Sequence, residues 1–445
     1  MPSSPETGPT PFFPPWRRTL LIAAVVVAGF GLTMRVFYPG VMTYDARYVY
    51  EDIAHGFYGD WQSPVMTALW ALIDPIAPGS ASMFLLMTTL YWLGFGLLAL
   101  LVARRNIWLA LALPLLAVLP PAFVFAGIIW RDVLLAALWL LAAALALAVA
   151  DRGWAARVPA QIVALSLLAL GVLLRPNALL AAPVLGAFIL WPSQFFWKRA
   201  VMIYLPAVAG FYALIQVSYY SVLGATRQHP LQSIMVFDLG GITHFAKDNQ
   251  FPVSWTPQQT ALLTGQCYQP TEWNIYWMYD PCQFVMKRLE GDKIFGTDAI
   301  PAAWRRAILS HPLAYLRHRA AFMWNFTTKE NLTMWTYDID NPPEVVFKDN
   351  PAFMALKSVH DRLSSTPLYR AGTWLILCAA VCGFAWRSRG TPTGAFAFGV
   401  GASAVLYIIS FFAVGVASDF RYAYWAVLAG ITGAVAIALR PSAAK

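Results

Sequence analysis

Apolar runs recur along this chain at a length that suits a bilayer, since a helix needs about 20 apolar residues to cross a hydrocarbon core of roughly 30 Å. Ten such runs are read near residues 18–37, 82–103, 107–127, 133–150, 159–174, 178–193, 200–222, 367–386, 394–416 and 422–439. Residues 159–193 are almost continuously apolar. As one helix they would reach roughly 52 Å at about 1.5 Å per residue, too long for one crossing. Arg175-Pro176-Asn177 interrupts the run, and a charge in mid-membrane costs about 2.5–3.5 kcal/mol. The sequence therefore predicts a hairpin with this tripeptide at its tip. The same reasoning divides 107–150 at or before Arg131-Asp132, with Pro120 and Pro121 bending the approach.

Of the 445 residues, 59% are hydrophobic and 12% charged, more apolar surface than a soluble domain can bury. The expected fold is an all-α polytopic membrane bundle of about 10 transmembrane helices with a small, mostly helical or irregular periplasmic domain. The net charge of +9 does not point to nucleic acid, because the basic residues cluster beside apolar runs. Arg17, Arg18, Arg104, Arg105, Arg152, Arg157, Lys198, Arg199, Arg387, Arg389, Arg440 and Lys445 all fall on one side of the alternating spans. That side is expected to be cytoplasmic, and so are both termini. The Pro-rich start MPSSPETGPTPFFPPWRR is expected to be disordered. The first apolar run lacks a small-residue cleavage site and reads as a retained span.

Three units follow: 1–222, a transmembrane catalytic module with a first outer loop at 38–81; 223–366, a periplasmic loop domain; and 367–445, the C-terminal transmembrane helices. The middle unit carries Trp255, Trp273, Trp277, Trp304, Trp324 and Trp335. Within it, residues 302–325 alternate basic and apolar groups as an interfacial helix would.

The polar exceptions share the face opposite the basic clusters: VMTYDARYVYEDIAHGFYGDWQSP at 41–64, Arg131-Asp132, Arg175-Pro176-Asn177, the 223–366 loop, and Ser418-Asp419-Phe420-Arg421-Tyr422. A functional site on that face accounts for the convergence. Each motif also has a structural reading. Thr43 would cap a helix with Asp45 in its first turn; alternatively Asp45, Tyr48 and Asp52 share a face on which a desolvated carboxylate acts as a base. Asp132 is either a first-turn partner of Arg131 or a site acid. Arg175 is either a snorkelling anchor or a planar fork for phosphate. Asp419 and Arg421, beside Tyr422 and Tyr424, form an ion pair in an aromatic belt or part of the site.

Cys267 and Cys282 share the outer loop, where an oxidising compartment favours a disulfide. Cys378 and Cys382 read as buried small hydrophobes. No CxxC, HExxH, P-loop or GxSxG motif is present, and His55, His229, His244, His311, His318 and His360 have no ligand spacing. Asn325-Phe-Thr and Asn331-Leu-Thr are glycosylation sequons, relevant only in a eukaryotic secretory route, whereas the Ala, Leu and Arg usage leans bacterial.

In the order and sidedness of TYDARYVYEDIAHGFYGDWQSP, WRDVLLA, LLRPNALLAAP, HPLAYLRHR and SDFRYAYW, the chain resembles GT-C superfamily glycosyltransferases. These include protein O-mannosyltransferases, the aminoarabinose transferase of lipid A and O-antigen glucosyltransferases. The resemblance covers the plan of the whole chain. It implies a polyprenyl-phosphate-linked sugar donor, a glycan, glycolipid or protein acceptor, membrane lipid as surroundings and no nucleic acid. It places the active site on the periplasmic side of the bacterial inner membrane. Asp45 matches the first-loop carboxylate, the general base, and Asp132 matches the second acidic site, orienting the acceptor or a metal. Arg175 and Arg421 are the candidates to hold the lipid phosphate. Tyr44, Tyr48, Trp61, Arg131, Asn177, Asp419 and Tyr422 complete the expected substrate-binding set. Ala46 stands where many relatives carry a second acid, which counts against a metal-bridging role for this loop; a divalent metal is otherwise left open as a cofactor. An O-antigen ligase or polymerase, a polyprenyl-lipid flippase or other transporter, and a non-catalytic assembly factor remain as alternatives. A transporter is expected to show inverted repeats and broken mid-membrane helices.

Overall fold

A computed structural model describes residues 14–329, 334 and 347–439. The N-terminal tract before residue 14, Trp335, the Asn331 sequon, Arg440 and Lys445 lie outside these. Among the described residues the chain is helical throughout, with isolated β-bridges and no sheet. Eight helices are long and apolar enough to cross a membrane: Trp16–Phe37, Ser80–Ala103, Arg131–Ala148, Trp154–Leu174, Trp197–Val222, Ala371–Ser388, Pro392–Val414 and Phe420–Ala438. The chain is a multi-pass membrane protein.

The expected ten spans differ from this in two places. Ile107–Ala117 and Pro120–Ala126 form one pair bent by 57°, because Pro120 and Pro121 cannot continue the hydrogen-bond ladder of the preceding helix. Counted as one span, the pair makes nine. In place of a tenth full helix at 178–193 there is a 3₁₀ turn, Pro176–Leu180, and a nine-residue helix, Ala182–Leu190, of about 14 Å. Pro176 and Pro183 break the segment. It still carries the chain from one end of the bundle to the other. Arg175 at its start pairs with Asp132, whereas past its end the Ser193 hydroxyl donates to the Ala150 carbonyl and the Phe195 amide to the Arg389 carbonyl.

Arg131–Ala148 and Phe420–Ala438 are the most enclosed spans. Alanine recurs along both, joined by Gly430 and Gly433 on the second, and small residues let helix backbones approach closely where lipid supplies no hydrophobic drive. Their first residues, Arg131-Asp132 and Phe420-Arg421, therefore emerge together at one end of the bundle. At the other end Arg18 donates to the Ala103 carbonyl. Arg104 and Arg105 share a pocket there with Asp151, and Lys198, Arg199, Arg387 and Arg389 share another.

Over the Asp132 end lies a layer built on Leu231–Ala246, Ala299–Ser310 and Pro312–Thr328. The interfacial helix expected at 302–325 is instead two helices broken at His311-Pro312, where the proline disfavours a helical residue before it. Nor does the second helix turn all its cations to headgroups. Arg319 is fully buried, its Nε 2.7 Å from Asp238 Oδ1, and Asp238 Oδ2 accepts from Trp304 Nε1 at 2.7 Å. A buried guanidinium needs such partners to offset lost hydration.

Cys267 and Cys282 form a disulfide across a separation of 15 residues. In the chain-entropy account a loop of this size stabilises by about 3 kcal/mol. Replacing both cysteines with serine should destabilise the outer layer by about that amount. Thermal unfolding with limited proteolysis of 255–295 measures this, and an unchanged transition contradicts it.

Candidate active site

The opening segment 41–64 is folded by pairing with the chain before Arg131. Val41 N donates to Gly127 O at 2.8 Å, and Ile129 N donates to Val41 O at 3.0 Å. This bridge sets the start of helix Tyr44–Ala54 beside Trp130. Thr43 is the N-cap residue, but its hydroxyl does not cap; it accepts from Trp130 Nε1 at 2.7 Å. Asp45, in the first turn, points at the last span, where Arg421 Nη1 donates to its Oδ2 at 2.6 Å. Gln62 Nε2 donates to the other oxygen at 3.2 Å.

Asp132 pairs with Arg175 at 2.7 Å rather than with its neighbour Arg131. Adjacent residues on a helix project in different directions, so the partner comes from another element. The break at Pro176 leaves Arg175 in a non-helical conformation from which its guanidinium lies over the Tyr422 ring, 4.7 Å from the centroid. Arg421 lies over Trp130 at 4.7 Å, and its Nε is 3.1 Å from Asp419 Oδ2. Asp419 also caps the final turn by accepting from the Arg421 amide at 2.9 Å.

These groups line a tight cleft, with Asp45, Gln62, Arg131, Asp132, Arg175 and Arg421 set among apolar walls. Three guanidiniums thus face two carboxylates across it. Among the described residues Arg131 has no ion-pair partner within 4.0 Å, so the cleft holds a cation not neutralised by direct contact. Burial on its own would raise the Asp45 pKa. Arg421, with Arg131 and Arg175 behind it, outweighs that and holds the carboxyl below its ordinary value of 3.8.

The other expected residues divide. Tyr422 and Asp419 back the arginines. Trp61 stands beside the cleft, its ring 5.7 Å from Trp273. Tyr48 is held outside it, its hydroxyl accepting from Gln228 Nε2 at 3.1 Å. Asn177 lies in the 3₁₀ turn and Tyr44 turns outward, 65% exposed; neither lines the cleft. Gln62 and Trp130 carry no charge and were missed by a search for charged outliers, although both stand inside or beside the motifs quoted above. Among the described residues no group of three or more His, Cys, Asp or Glu is placed to hold a metal ion, and Asp45 and Asp132 each already carry an arginine. From the cleft lining a divalent cation would have only the carboxylates of Asp45 and Asp132, its remaining ligands coming from water or a bound phosphate.

A polar cleft at the outer ends of apolar helices, with one half-buried carboxylate among arginines, can bind a phosphoester and accept a proton beside it. No protein-family model matches the sequence, and no curated protein matches it. Among solved structures the chain is similar to the archaeal oligosaccharyltransferase AglB from Archaeoglobus fulgidus in complex with an inhibitory peptide and a dolichol-phosphate. The identity is 13%, over 95% of this chain and 50% of that one, with a TM-score of 0.40. It is also similar to ArnT from Cupriavidus metallidurans bound to undecaprenyl phosphate, at 16% identity over 94% of this chain and 77% of that one, with a TM-score of 0.33. The chain spans about half the length of the archaeal enzyme.

Removing one partner of a buried pair strands the other charge, which costs about 3–5 kcal/mol. Asp132→Ala should therefore destabilise the fold by about that amount, and Asp132→Ala/Arg175→Met by less than Asp132→Ala alone. Thermal denaturation in detergent measures both. A double-variant loss as large as that of Asp132→Ala, or larger, contradicts the prediction.

Proposed function

We propose that the chain is a GT-C-type membrane glycosyltransferase. In this reading it transfers a sugar from a polyprenyl-phosphate donor to an envelope glycan, glycolipid or protein on the periplasmic face of the bacterial inner membrane. Units 1–222 and 367–445 supply the cleft, and unit 223–366 covers it. Both termini, with the basic end of the bundle, lie in the cytoplasm. The observation that carries this reading is the meeting of Asp45, Arg131, Asp132, Arg175 and Arg421 in one cleft, delivered by segments far apart in sequence.

In this reading the donor phosphate enters against Arg131, the guanidinium without a direct counter-ion, and draws Arg421 from Asp45. The acceptor hydroxyl attacks the anomeric carbon and the bond from that carbon to the phosphate oxygen breaks. Asp45 takes the hydroxyl proton, and the arginines hold the negative charge left on the lipid phosphate. Asp132 keeps Arg175 aimed into the cleft. No step requires a metal.

General-base catalysis contributes 10²–10⁴-fold. Asp45→Asn keeps an oxygen that accepts from Arg421, whose charge Asp419 still partners, so it should destabilise less than Asp132→Ala and lower transfer at least about a hundredfold. The check compares envelope glycolipids and glycoproteins by mass spectrometry in cells lacking the gene, restored with wild type, or restored with Asp45→Asn. A gene-dependent glycoform fully restored by Asp45→Asn contradicts the assignment.

The sign of the pH dependence follows from the lowered Asp45 pKa. The basic carboxylate persists above that pKa and is lost only as pH falls through it, below 3.8. The rate of transfer at saturating acceptor and limiting donor should show no acid limb between about pH 5 and 7. A limb centred near pH 6 would point to another base.

A further inference from the structure

Next to Gln62 in the chain, a row of three packed indole rings begins at Trp61. Gln62 is 6% exposed; its Nε2 serves Asp45, while its Oε1 is enclosed with no hydrogen-bond partner on a residue that lines the cleft. An enclosed acceptor left unpaired costs about 1–3 kcal/mol, which a ligand hydroxyl would recover. The preceding residue, Trp61, is half-buried, with its ring 5.7 Å from Trp273. Trp273 stacks in turn on Trp277, at 6.0 Å with the planes 15° apart, and Trp277 is 41% exposed. Polar groups edge the rings. Trp277 Nε1 donates to Asn274 Oδ1 at 3.4 Å, and Asn274 Nδ2 donates to the half-buried Glu272 carboxylate at 3.1 Å.

The ledge is anchored at several points. The Trp61 amide donates to Gln228 Oε1 at 2.9 Å. The Trp273 amide donates to Val416 O at 2.9 Å, and the Ser418 amide to Thr271 O at 2.6 Å. The Cys267–Cys282 disulfide closes the loop that bears Trp273 and Trp277.

Flat aromatic faces alternating with a carboxylate and amides match one class of ligand well. A pyranose offers C–H groups on its ring faces, which rest on indoles, and hydroxyls on its rim, which need donors and acceptors in the ring plane. A lipid tail would be served by a continuous apolar groove, and a peptide by a row of backbone partners; the ledge supplies neither.

We propose that the acceptor is a carbohydrate, seated with a hydroxyl on Gln62 Oε1 and its further rings along Trp61 and Trp277, which the buried Trp273 ring holds in place between them. This proposal rests on the transferase reading above and narrows its acceptor from three classes to one.

The test is donor-free binding to the full chain in detergent, read by saturation-transfer NMR. The probes are chitotetraose, maltotetraose and mannotetraose, with an unstructured Ser/Thr-rich peptide beside them. At least one tetrasaccharide should bind, and Trp277→Ala should weaken it about tenfold, or about 1.4 kcal/mol. Trp277→Phe, which keeps a ring face, should restore most of the binding. The proposal is overturned if no tetrasaccharide binds, if the peptide binds and the sugars do not, or if Trp277→Ala binds normally. Because no transfer is measured, the two readings fail separately. Saccharide binding with normal glycoforms in Asp45→Asn cells sinks the base assignment alone. Loss of glycoforms in those cells without saccharide binding leaves a transferase with another acceptor.

Discussion

The ion pair between Asp45 and Arg421 joins residues 376 positions apart, and the outer end of the bundle is arranged around it. A guanidinium withdrawn from water loses hydration that a single carboxylate does not restore. Arg421 therefore has a second carboxylate at Asp419 and the faces of Trp130 and Tyr422 at 4.7 and 5.2 Å. Each of these partners comes with a backbone requirement. Trp130 must sit beside Thr43, which the bridge between Val41 and Ile128 secures. Tyr422 must follow a tight turn, which the Asp419 cap provides.

The outer layer belongs to the same construction. The chain between the last two spans, 415–419, carries Asp419 toward the cleft. It is held on one side by the Thr271–Trp273 backbone and on the other by Arg319, whose Nη1 donates to the Gly415 carbonyl at 2.6 Å. Glycine is required at 415, because a Cβ there would lie 2.3 Å from the Phe322 ring. Arg319 in turn is fixed by Asp238, so a fully buried ion pair in the outer layer sets the path of the loop that delivers Asp419 and Arg421. Buried pairs of this kind add little net stability but fix a geometry.

The spans were legible because a bilayer imposes a length and a composition that no other constraint imitates. The tip at Arg175-Pro176-Asn177 was legible for the same reason, since charge and proline together exclude a continuous helix. What could not be read was pairing. Asp132 has an arginine beside it in sequence, yet its partner is Arg175, because partners across a bundle depend on helix rotation and the sequence records only helix length. Arg319 looked like a headgroup cation for a related reason: alternation of basic and apolar residues suits an interfacial helix and a helix buried under an outer layer equally well. Gln62 lies within the 41–64 stretch. A neutral amide announces itself only when a carboxylate is found 3.2 Å away.

In the resting protein Asp45 is a poor base, because Arg421 and its neighbours stabilise the charged form. A general base works best when its pKa approaches the operating pH. Under the transferase reading the two facts are reconciled by competition for one guanidinium. A donor phosphodiester carries one negative charge, as a carboxylate does, and accepts the bidentate fork equally well; its charge grows as the sugar leaves. As Arg421 shifts toward it, Asp45 loses its strongest counter-ion while keeping the weak amide contact from Gln62. Burial, which raises the carboxyl pKa, is then less opposed. Base strength would rise when the leaving group is in place and remain low when the cleft is empty. The arrangement demands an arginine that can reach both anions, and Arg421, with one nitrogen on Asp45 and another on Asp419, can release the first while the second keeps it anchored.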